Sequence, residues 1–264
     1  MRVGYLQFNP IFGETKQNLD FVAERVRRAE CDLLVLPELF NTGYQFISAE
    51  EAASLAEDIP TGPTTARLLQ LAVNCRMHIV AGLAERVERR IYNSAVLLGP
   101  SGVIGVYRKT HLYSEETLWF APGDTGFPVY DIGSARIGLM ICFDWFYPEA
   151  ARTLALKGAD IIAHPSNLVL PHCPDAMIIR CLENRVFAVT CNRIGSEERG
   201  GKCKLSFIGT SEIVSPTGKI LKRARGGQVE LGVVDIDPLE ARQKKINSYN
   251  DLLAGRRPAH YSSG

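Results

Sequence analysis

Arg136-Ile137-Gly138-Leu139-Met140-Ile141, then Cys142-Phe143-Asp144-Trp145-Phe146-Tyr147, then Pro148 through Lys157 to Gly158, is the stretch that sets the fold. Its first six residues form an apolar run of strand length. Pro148 suits the first position of a helix, where a missing N–H costs nothing, and Glu149 suits the positive end of the helix dipole. Gly158 accepts the backbone geometry on which helices commonly stop. The stretch therefore reads as strand, tight turn and helix, one unit of an α/β repeat.

The same unit recurs on both sides. Upstream, a strand at Arg2–Phe8 precedes a helical pattern from Thr15 to Ala29, with Leu19, Val22, Val26 and Ala29 on one face. Strands at 32–36, 77–83 and 93–98 and a helix at 66–75 follow, and Gly99-Pro100-Ser101-Gly102 turns the chain into a strand ending at Arg108-Lys109. Downstream of Gly158 come strands at 160–163, 186–191 and 207–214 and a helix at 175–183. Two similar halves, and about a dozen strands in all, exceed what one strongly twisted sheet usually holds. They predict two sheets packed face to face with helices outside. No low-complexity linker divides the halves, so residues 1–264 are read as a single domain.

Composition narrows the function. A chain of 264 residues, 46% hydrophobic, can bury roughly 70–75% of its unfolded surface. Thirty basic against 29 acidic residues leave no single-sign field to attract nucleic acid or anionic lipid. No apolar run approaches the ~18 residues of a membrane span, and Met1–Pro10 lacks the pattern of a secretory signal, so a cytoplasmic location is expected. Most of the seven cysteines, without such a signal, are read as free and buried thiols. They form no C-x-x-C, and the five histidines form no H-x-x-x-H. His164, His172 and Cys173 come nearest to a metal cluster, without a ligand spacing, so no metal is expected.

Three residues at predicted strand ends carry potential chemistry. Cys142 sits on the strand-to-helix turn, where a side chain is exposed and backbone N–H groups can meet an anion; it could equally be a small buried hydrophobe. Glu38, in Leu34-Val35-Leu36-Pro37-Glu38-Leu39-Phe40, is a carboxylate among apolar neighbours. It is either a base whose pKa burial raises or an ordinary strand-end charge. Arg108 and Lys109 must point to opposite faces of their strand, and whichever faces inward needs a carboxylate that Glu38 could supply. Nucleophile, base and cationic oxyanion stabiliser are what acyl transfer without histidine requires.

Leu36-Pro37-Glu38-Leu39-Phe40, Arg108-Lys109-Thr110-His111-Leu112 and Ile141 through Glu149 resemble, in that order, the three signature blocks of the nitrilase superfamily, the carbon–nitrogen hydrolases. The resemblance runs from Val3 to about Asp251 and is to the compact members without added domains. It implies an αββα sandwich with Glu38, Lys109 and Cys142 as catalytic triad. A second glutamate is implied downstream of the lysine, and alignment on His111-Leu112 and Pro122-Gly123-Asp124 favours Glu116 over Glu115. The implied reaction hydrolyses a small carboxamide to acid and ammonia through a Cys142 thioester, without metal or organic cofactor, with nitriles or N-carbamoyl compounds as alternative substrates. The Phe143 N–H and Lys109 would hold the developing oxyanion. The resemblance also implies pairing of subunits through helices near the nucleophile, with the tail at 249–264 near that interface.

Tyr44, Phe120, Trp145 and Asn167, each close to a motif or strand end, are further pocket candidates, although aromatic residues are commonly buried and Asn167 could cap a turn. Asp144 is read as bracing the nucleophile turn. Cys142 is expected to be the thiol most open to alkylation, since no other has a base and cation predicted beside it. Competing readings are a Cys-His-Asp hydrolase using His111 or His164, and a noncatalytic binding protein on the same scaffold.

Overall fold

The computed structural model describes residues 1–261. In chain order its elements are β1 (Arg2–Gln7), α1 (Thr15–Val26), β2 (Leu33–Val35), α2 (Ala49–Leu55), α3 (Pro63–Cys75), β3 (His78–Val87), β4 (Arg90–Gly99), β5 (Gly102–Arg108) and α4 (Glu116–Trp119). There follow β6 (Val129–Asp131), β7 (Arg136–Leu139), α5 (Pro148–Leu156), β8 (Ile161–Pro165), α6 (Cys173–Asn184) and β9 (Phe187–Cys191). The chain ends with β10 (Ser196–Glu197), β11 (Leu205–Ser206), β12 (Glu212–Val214), β13 (Ile220–Arg223) and β14 (Glu230–Asp235).

Two six-stranded mixed sheets result, ordered β14-β1-β2-β3-β4-β5 and β13-β12-β9-β8-β7-β6. Each has three parallel central strands, β1, β2 and β3 in one and β7, β8 and β9 in the other, flanked by antiparallel neighbours. Strand alternation assigns the layers. Val3, Tyr5, Leu33 and Val35 pack with Ile137, Leu139, Ile161 and Val189 of the second sheet. Leu6, Leu34 and Leu36, of opposite parity, pack under Leu19, Val22 and Val26 of α1 and Leu68 and Leu71 of α3. On the far face, Leu154 of α5 and Met177 and Cys181 of α6 cover the second sheet. The four-layer αββα sandwich is thus present. No helix among the described residues is long and apolar enough to cross a membrane.

The helix after Cys142 forms as read, with Pro148 at its first position and Gly158 at φ +86° just beyond its end. The strand expected over 207–214 does not. Gly209 and Thr210 adopt positive φ of 63° and 55°, which no extended strand sustains, so only Glu212–Val214 joins the sheet. Leu205–Ser206 instead pairs with Ser196–Glu197 in a small separate ribbon. Among elements not anticipated, β14 closes the edge of the first sheet against β1 in register from Arg2 opposite Asp235 to Gln7 opposite Glu230.

Candidate active site

The site forms where both sheets present the carboxyl ends of their parallel strands. Glu38 follows β2 and is fully buried. Its turn lies directly on β3: Phe40 N–H donates to Gly82 O at 3.0 Å, and Gly82 N–H to Pro37 O at 3.2 Å. A Cβ on Gly82 would come within 2.5 Å of Glu38 Cα, so only glycine permits this approach. Lys109 follows β5, and Gly123 packs so tightly behind it that a Cβ there would meet Arg108 O at 2.0 Å.

Lys109 Nζ donates to Glu38 Oε1 at 2.7 Å and to Glu116 Oε1 at 2.8 Å, with all three side chains buried. Arg108, on the opposite face of its strand, pairs with Glu85 at 2.9 Å and Asp124 at 2.8 Å. The alternation of the strand thus sends the lysine inward. Of the adjacent glutamates, the turn of α4 brings Glu116 to Lys109, while Glu115 stays at the surface with Lys202 at 2.7 Å. Tyr44 O–H donates to Glu116 Oε1 at 2.7 Å, and Asn93 Nδ2 donates to Glu38 Oε1 at 2.6 Å. Glu38 Oε2 has no hydrogen-bond partner.

Cys142 begins a single 3-10 turn, Cys142–Phe146, and holds φ at +40°, a region that side chains other than glycine rarely occupy. The surroundings hold it there. Asp144 Oδ2 accepts from Ile141 N–H at 2.8 Å and from the Tyr107 hydroxyl at 2.7 Å, and Asp144 Oδ1 bonds His111 Nδ1 at 2.8 Å. Asp144 therefore braces the turn, as its position suggested. His164 Nε2 lies 2.9 Å from Cys142 O and Nδ1 lies 3.1 Å from Thr190 Oγ1, so both ring nitrogens are engaged. Burial lowers the His164 pKa to about 4, keeping the ring neutral with Nε2–H as donor. It cannot also be the base of a Cys-His-Asp hydrolase.

Burial pushes the Cys142 thiol well above its ordinary value, and the charges acting most strongly on it are those of Glu38, Lys109 and Glu116. Burial likewise raises Glu38, against the pull of Lys109. For Lys109, burial works to neutralise the ammonium, but Glu116 and Glu38 outweigh it and raise its pKa. The cation is thus held charged between two carboxylates beside a protonated thiol.

Asn167, after β8, donates its Nδ2 to Glu38 O at 2.9 Å and leaves Oδ1 buried without a partner. A cavity of about 20 Å³, enough for one water, is lined by Cys142, Phe143, Trp145, Asn167 and Tyr113. Tyr113 also borders a cavity of about 400 Å³ lined by Tyr44, Phe46, Glu116, Trp119 and Lys202. Phe120, by contrast, packs edge-on to Phe46 with ring centroids 5.6 Å apart and lines neither cavity. Its place in the chain, at the end of α4, turns the ring into a small core with Leu39 and Ala84.

Sequence reasoning passed over Asn93, Gly82, Gly123 and Tyr113. Asn93 alone carried a signal, a polar residue inside the apolar run of β4. Of the thiols, Cys203 is exposed and Cys142 is buried. Among the described residues no group of three or more His, Cys, Asp or Glu is placed to hold a metal ion. His164 is buried and His172 lies on the surface before α6.

Residues 2–245 match the carbon-nitrogen hydrolase family, and the chain belongs to it. It is similar to a nitrilase from Pyrococcus abyssi, 49% identical over 264 residues and covering 99% of each chain. It is also similar to an (R)-stereoselective amidase from a Pseudomonas species, 34% identical over 98% of this chain and 95% of that one. Among solved structures, a variant of the amidase from Nesterenkonia sp. AN1 superimposes with a TM-score of 0.78 at 27% identity, over 93% of this chain and 94% of that one. That structure shows covalent addition of the acetamide moiety of fluoroacetamide at the active-site cysteine.

Proposed function

We propose that this carbon–nitrogen hydrolase converts small carboxamides to carboxylic acid and ammonia through a thioester on Cys142. The observation that carries the reading is the ammonium of Lys109, held between Glu38 and Glu116 beside a buried thiol. Glu38 Oε2 takes the Cys142 proton as sulfur attacks the amide carbon. Lys109 and the Phe143 N–H hold the tetrahedral oxyanion, a contribution typically worth about 3–4 kcal/mol per donor. Glu38 returns the proton to the departing nitrogen, ammonia leaves, and water, deprotonated by Glu38, opens the thioester. Glu116, fixed by Lys109 and Tyr44, orients the substrate amide, and the unpartnered Asn167 Oδ1 is available to accept from its N–H. Trp145 and Phe143 wall the acyl carbon.

A nitrile is the second reading, favoured by the Pyrococcus abyssi relative. It would give a planar thioimidate that must be hydrated before joining the same path. The oxyanion donors suit the amide directly. Comparing kcat/KM for matched amide and nitrile pairs of equal chain length decides between them, and a consistent nitrile preference overturns the amide assignment.

Phe146, Leu156, Ile179 and Leu182 are large apolar side chains exposed on and beside α5 and α6. The tail from Tyr249 runs next to them, Leu252 and Tyr261 bordering a groove with Pro148, Arg152 and Glu183. We infer a cytoplasmic single-domain enzyme that works as a homodimer, or higher oligomer, through this face. Positions 262–264 of that tail lie outside the described residues. Sedimentation of the wild-type chain and of Ile179→Asp tests it, a monomeric wild type being the refuting result.

A further inference from the structure

Asn93 lies in the middle of β4, between β3 and β5, and is fully buried. It touches both charged partners of the site at once. Its carbonyl oxygen accepts from Lys109 N–H at 2.8 Å, and its side-chain Nδ2 donates to Glu38 Oε1 at 2.6 Å. The amide orientation is fixed by chemistry, since the opposite flip would set Oδ1 against a carboxylate oxygen. In this orientation Oδ1 is buried without a partner, which destabilises the fold. An apolar residue of similar size would avoid that cost, so packing does not explain an asparagine here.

The two oxygens of Glu38 are consequently unequal. Oε1 accepts from both Asn93 and Lys109, whereas Oε2 accepts from nothing. A glutamate carboxylate rotates about its last torsion with little preference, so an unanchored one would present either oxygen. We propose that Asn93 is a positioning residue: with Lys109 it pins Glu38 Oε1, so that Oε2 is the oxygen that takes the Cys142 proton. The S–H bond breaks as the Oε2–H bond forms, and the same oxygen later delivers that proton to the departing nitrogen. The proposal rests on the reading of Glu38 as base.

The groups facing Glu38 are Lys109, Glu116, Cys142 and Tyr44, and none changes when Asn93 is replaced. Glu38 must be ionised to accept a proton, and the Asn93 donor favours its ionised form. Removing that donor raises the pKa of the base and moves the acid limb of kcat/KM to higher pH. The test measures pH profiles of carboxamide hydrolysis for Asn93→Leu, Asn93→Asp and Glu38→Gln, with circular dichroism confirming folding.

For Asn93→Leu the expected result is a kcat loss of about 10- to 100-fold, unchanged KM, and an acid limb displaced upward by on the order of one pH unit. Unchanged KM follows because Asn93 borders neither cavity. Asn93→Asp keeps the shape, places a like charge beside Glu38 and moves the limb further up, so it decides the question if the leucine variant fails to fold. An acid limb at its wild-type position in a folded variant, or a loss carried by KM, overturns the proposal. Activity retained by Glu38→Gln would instead remove the base reading beneath it.

Discussion

Replacing Lys109 by Met isolates the electrostatics of the site. Methionine keeps the unbranched stem and deletes the ammonium, so the packing change is small. What remains are Glu38 and Glu116, two buried carboxylates that had shared one cation at 2.7 and 2.8 Å. They cannot both stay ionised in that setting, and the folded variant must take up a proton. The ordinary value for glutamate is 4.5. Holding at pH 7 a proton that the unfolded chain has released costs about 1.4 kcal/mol per pH unit, up to about 3 kcal/mol in all. At pH 5 the same term is under about 1 kcal/mol. A carboxylate whose folded pKa is raised stabilises fully below its unfolded value, and that contribution is lost as pH rises toward the folded one. The stability deficit of the variant should therefore widen from pH 5 to pH 7. Wild-type Lys109, with its own pKa raised above 10.5, stays charged throughout that window. Urea unfolding at the two pH values measures the deficit, and turnover should fall by about 10²–10³ at both. A deficit equal at pH 5 and 7, or turnover within tenfold of wild type, would refute the account.

Other perturbations follow from single contacts. Gly82→Ala drives a Cβ to 2.5 Å from Glu38 Cα, and overpacking of this kind costs about 1–3 kcal/mol; kcat should fall more than Tm predicts, and full activity would show that the base tolerates displacement. His164 has a folded pKa of about 4 against 6.5, so its contribution to stability is present above pH 6.5 and lost as pH falls toward 4. His164→Gln should flatten the stability profile in that window by about 3 kcal/mol, and a profile parallel to wild type would mean the ring is not held neutral. Brief iodoacetamide treatment should label exposed Cys203 without loss of activity, whereas inactivation tracks Cys142 and is slowed by substrate; peptide mapping that tied inactivation to Cys203 would reverse the assignment.

Local chemistry was legible wherever it depended on neighbours in the chain. The turn at Cys142 and the helix from Pro148 are written in adjacent residues, and strand alternation puts Lys109 and Arg108 on opposite faces, although only the family resemblance singled out the lysine as the inward one. Glu115 and Glu116 were separable only by alignment, because the tilt of a four-residue helix decides which of them turns inward. Non-local facts were not legible. The pairing of β14 with β1 joins residues more than 200 positions apart, and no local pattern announces it. Phe120 shares its aromatic character with Tyr44 and Trp145, which border the two cavities beside Glu116 and Cys142, and its packing against Phe46 separates it from them. The predicted strand over 207–214 failed on a positive φ at Thr210, which sequence reasoning does not assign to a β-branched residue.

The base and the cation hang from one sheet and the nucleophile from the other, so the distance between reacting groups is a property of how the sheets pack. Hydrogen bonds that span the gap include Asn167 Nδ2 to Glu38 O at 2.9 Å and Tyr107 O–H to Asp144 Oδ2 at 2.7 Å. Beneath them Val35, Ala95 and Leu97 of one sheet meet Leu139, Ala163 and Val189 of the other. A core change that lets the sheets shift by a fraction of an ångström leaves every hydrogen bond within each sheet intact, yet it moves Glu38 relative to Cys142. Since a misplacement of about 1 Å can cost a factor of about 10² in rate, activity is more sensitive than stability to this interface. The sandwich is therefore the device that holds base and sulfur in register.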